Sequence, residues 1–68
     1  MSVARVTEIT AASNKSFEDA VKEGIKRANK TLKNVRGAWV ESQKVICDSD
    51  GDIKEYRVNL KVSFVLSD

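Results

Sequence analysis

Sixty-eight residues carrying a net charge of +2, with 32% charged side chains, one cysteine, no histidine and no proline, make one domain spanning 1–68 and exclude most ways of reinforcing it. A chain this short hides only about 60% of the surface its unfolded form exposes, and Cys47 alone supplies neither an internal disulfide nor a His/Cys zinc site. Oligomerisation is the supplement that remains, and the mixed charge signs indicate solubility rather than the basic excess of a nucleic-acid binder.

The first residues, MSVARVTEIT, lack the apolar core of a signal peptide, and no apolar run has the length to cross a bilayer. The expectation is a cytoplasmic protein with no membrane partner. Asn14-Lys15-Ser16 and Asn29-Lys30-Thr31 match the glycosylation pattern, which matters only in a secretory compartment.

From Val3 to Thr10, β-branched residues interspersed with Arg5 and Glu8 predict a strand whose two faces are poorly separated, as at a sheet edge or beneath a neighbouring subunit. Ala11 to Lys15 reads as a small, polar connection. Ser16 then stands where a helix N-cap belongs, with Glu18 and Asp19 favouring the positive end of the dipole. Phe17, Ala20, Val21, Gly24, Ile25, Ala28 and Leu32 recur at three- and four-residue spacing and form one apolar stripe. Gly24 within it costs roughly 1 kcal/mol of helix propensity relative to alanine, which implies close packing against it. The helix is expected to end near Asn34, with a break at Arg36-Gly37.

Ala38 to Cys47 predicts a second strand, and Asp48 to Asp52 an acidic turn. In the last segment Tyr56, Val58, Leu60, Val62, Phe64 and Leu66 alternate with Arg57, Asn59, Lys61 and Ser63 without a slip, so one face of this long strand must meet the helix stripe.

Asp48, Asp50 and Asp52 resemble the start of a calcium loop. The sixth and twelfth positions of that loop fall on Ile53 and Asn59 instead of glycine and glutamate, so a hairpin turn with positive φ at Asp50-Gly51 is the favoured reading. Catalysis finds no support: Cys47 has no histidine base and adjoins the carboxylate of Asp48, and the glutamates are scattered. The cations from Lys22 to Arg36 read as a solvated helix face ahead of a nucleic-acid surface, and Trp39 as a core or interface anchor.

The stretches Val3-Ala-Arg-Val-Thr-Glu-Ile9, Ser16-Phe-Glu-Asp-Ala20, Ala28-Asn-Lys-Thr-Leu32, Trp39-Val40 and Glu55-Tyr-Arg-Val-Asn-Leu-Lys-Val-Ser-Phe64 together resemble the dodecin family across nearly the whole chain. The resemblance implies an α+β fold of order β-α-β-β, a three-stranded antiparallel sheet wrapped around one helix, and assembly of twelve copies into a hollow shell. It implies storage or sequestration without turnover: flavins (riboflavin, FMN or FAD) bind between subunits, stacked on tryptophans and hydrogen-bonded by a glutamine. Here the tryptophan's place falls on Gly37, with Trp39 two residues on and therefore on the same face of a regular strand. The glutamine's place is held by Arg57, which donates hydrogen bonds and accepts none. The expected flavin site is Trp39 as the stacking group, Gly37 beside it, and Arg57, Gln43 and Asn59 as hydrogen-bonding groups. Some family members without the tryptophan pattern are described as calcium-binding, for which Glu41, Glu55 and the turn aspartates are the available oxygen ligands.

Overall fold

The computed structural model describes residues 3–66, ordered as β1 (Ala4–Ser13), α1 (Phe17–Leu32), β2 (Val35–Cys47) and β3 (Ile53–Val65). All pairing is antiparallel and the sheet order is β1-β3-β2, so the last strand is the central one and both others are edges. This is the β-α-β-β sheet wrapped around a helix that the resemblance implies.

Ser16 caps α1 as expected: its extended backbone lets Oγ accept from the Asp19 N–H at 2.9 Å, with Glu18 and Asp19 in the first turn. Asp19 also accepts from Ser13 Oγ at 2.7 Å, and Ser13 Oγ accepts from the Lys15 N–H at 2.9 Å. These bonds tie the end of β1 to the start of the helix. Phe17 meets Tyr56 edge-on, with ring centroids 5.1 Å apart.

Ala20, Val58, Leu60 and Val62 form the buried centre, joined by Ile9, Ala11, Phe17, Val21, Ile25, Leu32 and Val35. The alternating residues of β3 therefore meet the helix stripe as the sequence predicts. A Cβ added at Gly24 would lie 2.8 Å from Ala11 Cβ and 3.2 Å from Leu60 Cδ1, so the glycine is where helix and sheet come closest.

Four boundaries differ from expectation. β1 continues through Ala11, Ala12 and Ser13, because small side chains are what the close helix at Gly24 admits. The helix stops at Leu32, not near Asn34: Lys33 (φ 59°) and Asn34 (φ 51°) take positive φ and reverse the chain without a glycine. Lys33 N–H donates to Asn29 O at 3.1 Å, and Asn29 Oδ1 accepts from the Val35 N–H at 3.3 Å, which holds the reversal in place. β2 thus begins at Val35, and the expected break at Arg36-Gly37 is a bulge inside it. β3 begins at Ile53, three residues before its strict alternation.

Candidate functional site

The helix covers one face of the sheet and leaves the other open. Residues directly opposite in a ladder share a face, so the register lays the open face out in rows across β1, β3 and β2. Val6, Ser63 and Gly37 form one row. Glu8, Lys61 and Trp39 form the next, followed by Thr10, Asn59 and Ser42, then Ala12, Arg57 and Lys44.

Trp39 stands on this face 60% exposed, so it is not part of the core. Its neighbour along the strand on the same face is Gly37, where an added Cβ would meet only Ser63 Oγ at 3.8 Å. The tryptophan is therefore flanked on this face by a residue without a side chain. Ser63 Oγ itself donates to Gly37 O at 3.3 Å.

Of the expected site residues, Trp39, Gly37, Arg57 and Asn59 lie together on the open face, and Gln43 does not. Gln43 stands opposite Val58, which is buried under the helix. The physical reason is a bulge between Val40 and Ser42 that accommodates Glu41 as an extra residue and reverses the alternation beyond it. Four residues from Trp39 is the same face only in a regular strand.

The polar groups of the face are knitted to one another. Lys61 Nζ and Glu41 Oε1 pair at 2.9 Å. That hydrogen bond and the Glu41 charge raise the Lys61 pKa above its ordinary 10.5, with a further contribution from Glu8. Asn59 Nδ2 donates to Glu8 Oε2 at 2.7 Å, and Arg57 Nε donates to Glu55 Oε1. Asn59 Oδ1 is buried and accepts no hydrogen bond. A groove of about 360 Å³ lies along these rows, lined by Thr10, Ser42, Gln43, Lys44, Arg57, Val58 and Asn59, so Gln43 borders it without sharing the face of Trp39. Thr10, Ser42, Lys44, Lys61 and Glu8 were not nominated from sequence; the period of β1 and β2 carries them only once the register with β3 is known.

A larger hollow of about 540 Å³ lies on the opposite side, where α1 overhangs β1 between Thr7, Ile9, Gly24, Ala28 and Leu32. Beyond it, the helix-side face of β2 is uncovered: Val40 is 49% and Val45 38% exposed. Apolar area of this kind on an edge strand is what a neighbouring subunit covers.

At the hairpin tip, Asp48, Asp50 and Asp52 each bring a carboxylate oxygen within 4.8 Å of the others, all exposed. Asp48 Oδ1 accepts from the Asp50 and Asp52 N–H groups at 2.9 and 3.1 Å, so its side chain organises the turn. The expected hairpin turn over Asp48 to Asp52 is present, closed by Asp48, but only Gly51 (φ 83°) has positive φ in it; Asp50 does not, which corrects the expected positive φ at that residue.

A family model described as Dodecin matches residues 3–67. The chain belongs to the dodecin family. Among curated relatives, calcium dodecin of Mycobacterium tuberculosis (strain ATCC 25618 / H37Rv) is 41% identical over 64 residues, covering 94% of this chain and 89% of that protein. The solved dodecin of Streptomyces davaonensis superposes with a TM-score of 0.93 at 33% identity, covering 98% of this chain and 97% of the other. The structure of the M. tuberculosis calcium dodecin, described as a calcium chelating antigen with a novel calcium-binding site, gives 0.82 at 37% identity over 96% of this chain and 91% of that one. A point variant of Thermus thermophilus dodecin matches at 0.90 and 29% over the full length of both chains. Against these dodecins the β-α-β-β fold and its length are shared from end to end.

Proposed function

We propose that this dodecin is a cytoplasmic binding protein that assembles from twelve copies and sequesters a flavin at its subunit interfaces, on the open face of the sheet. The observation that carries the reading is Trp39: a lone tryptophan, 60% exposed, flanked by Gly37 and set among hydrogen-bonding side chains. An aromatic ring presented this way stacks on a flat ligand and on its symmetry copy. Arg57 donates to flavin carbonyls, and Asn59 both donates and accepts. The helix-side residues Val40 and Val45 supply apolar surface for the contacts between copies. Binding without turnover fits a chain that has no histidine and whose open-face carboxylates Glu8, Glu41 and Glu55 are each engaged by a donor.

Riboflavin fluorescence is the direct test. Addition of micromolar protein is expected to quench it, and unchanged fluorescence would remove the flavin assignment. Light scattering is expected to give about twelve times the chain's 7.5 kDa.

A second reading has its own observation, the convergence of Asp48, Asp50 and Asp52 oxygens at the hairpin tip. Carboxylates of this spacing suit Ca²⁺, a hard cation taking oxygen ligands, and the M. tuberculosis relative bears a calcium name. Under this reading calcium raises the melting temperature by mass action and Asp50→Asn removes the increase. A melting temperature indifferent to calcium would dispose of it.

A further inference from the structure

We infer that the end of the molecule where α1 terminates is a polyanion surface, and that it takes the phosphate backbone of a nucleic acid without regard to base sequence. The inference uses none of the residues in the open-face rows and stands apart from the flavin reading.

The first observation is how the fold sorts charge. Along the chain the two signs nearly cancel, to a net +2. In space they separate. Residues 24–40 carry Lys26, Arg27, Lys30, Lys33 and Arg36 and no carboxylate. The helix ends beside the start of β2, where Val35 lies opposite Phe64 and Phe64 opposite Arg5, so Arg5 joins the same end as a sixth cation. The acids gather elsewhere: Glu18 and Asp19 in the first turn of α1, and Asp48, Asp50 and Asp52 at the hairpin tip, at the other end of a body 52 Å long.

The second observation is that these cations have no internal partner. All six are exposed and none enters an ion pair among the described residues; Arg27 donates to the Thr31 hydroxyl at 2.7 Å. The same helix supplies the contrast. Lys22 is met by Glu18, four residues earlier, at 3.0 Å, whereas Lys26 follows Lys22 and Lys30 follows Lys26 at that spacing, where like charges oppose the helix. The helix dipole favours Lys30 and Lys33 at its negative end. It does nothing for Lys26, or for Arg5 and Arg36 on the strands. An external chain of negative charge compensates all of them together.

Geometry suits an extended partner. Lys26 and Lys30 lie on the side of α1 away from buried Gly24 and Ala28, and the run from Lys26 to Lys33 rises about 10 Å, the length of about three phosphates on one strand of a duplex. Lysine and arginine contacts to phosphate position a protein without reading bases. The surface therefore binds backbone, and several copies held together would bind it with added avidity.

The experiment titrates the full chain against a labelled DNA duplex of about 20 base pairs and mixed sequence, by fluorescence anisotropy at about 50 and 200 mM salt, with light scattering in the same buffers. Engagement of about four phosphates gives a log–log salt slope of about −3.6, roughly a hundred-fold loss of affinity between the two salts. Lys26→Gln combined with Lys30→Gln should make that slope shallower by about 2 and weaken binding at low salt about ten-fold or more. Lys54→Gln, near the acidic tip, should change neither, and a duplex of unrelated sequence should bind equally. Riboflavin quenching should be the same in every variant, so failure of the flavin reading leaves this one standing. No binding at about 50 mM salt, or binding that the double variant leaves untouched, would overturn the proposal. So would a particle that dissociates with salt and with the double variant while DNA stays unbound, which would assign the basic end to the acidic hairpin tip of a second copy.

Discussion

The two faces of this sheet are built on opposite principles. Under the helix, Val58, Leu60 and Val62 are at most 1% exposed and contribute by volume and shape. On the open face, Arg57, Asn59, Lys61 and Ser63 alternate with them along the same strand and contribute by charge and hydrogen bonding. One strand thus carries the core on its even residues and the candidate site on its odd ones. Stability and binding should therefore be separable by substitutions one residue apart.

The largest effect is expected at the core. Leu60→Ala removes a fully buried side chain and should lower unfolding free energy by about 2–5 kcal/mol, measured by denaturant at fixed protein concentration. A loss below about 1 kcal/mol would mean that the helix does not press on this strand as described. Next comes Gly24→Ala. Its new methyl would meet Ala11 Cβ, which is anchored to backbone and cannot swing aside. Overpacking of about 1–3 kcal/mol outweighs the ~1 kcal/mol gained in helix propensity, so the midpoint should fall. A rise would show that helix and sheet sit farther apart than this.

On the open face the sign should reverse. Asn59→Val deletes the unmet buried acceptor and places a good strand former in β3. Unfolding free energy is expected to stay level or gain up to about 1 kcal/mol, while affinity for riboflavin falls. A clear loss of stability would break the separation of roles between the faces.

The smallest effect is one of pH. Because the folded state raises the Lys61 pKa above 10.5, the stabilisation from its pairing with Glu41 is complete below that value and fades as pH climbs through the elevated folded pKa. The stability difference between the parent and Glu41→Gln should accordingly hold constant from neutral pH to about 9 and shrink beyond 10.5. A difference that persisted unchanged to high pH would show that the Lys61 charge does not carry it.

The sequence discloses these two faces unequally. In β3 the alternation is unbroken and the strand is regular, so both the core face and the open-face residues Arg57 and Asn59 are legible from residue order alone. The helix stripe and its Ser16 cap are legible for the same reason: period and cap chemistry are local. β2 is different. Register shifts at Val35/Gly37, Val40/Ser42 and Ile46/Cys47 each break the two-residue period, so counting along the strand puts Gln43 with Trp39 when the ladder puts it opposite Val58. Lys44 is placed on the open face only through its partner Arg57. The chain reversal at Lys33 and Asn34 is hidden because no glycine marks it: positive φ begins at a lysine, which seldom adopts it, and continues at an asparagine. Asn29 compensates through a bond six residues away.

The strand order also bears on how the domain comes into being. β1 and β2 pair only with β3, so both edges wait on the strand that is furthest along the chain. Local closure of the hairpin at Asp48 can begin the sheet, but β1 joins it only by closing a long loop, which is entropically slow. On a ribosome, the two edge strands emerge with no strand to pair against, and the helix stripe can meet only Ile9 and Ala11 of β1 until residues near Leu60 appear. Folding is thereby tied to near-complete synthesis. Both edges of the sheet therefore come into existence together, at the end of synthesis.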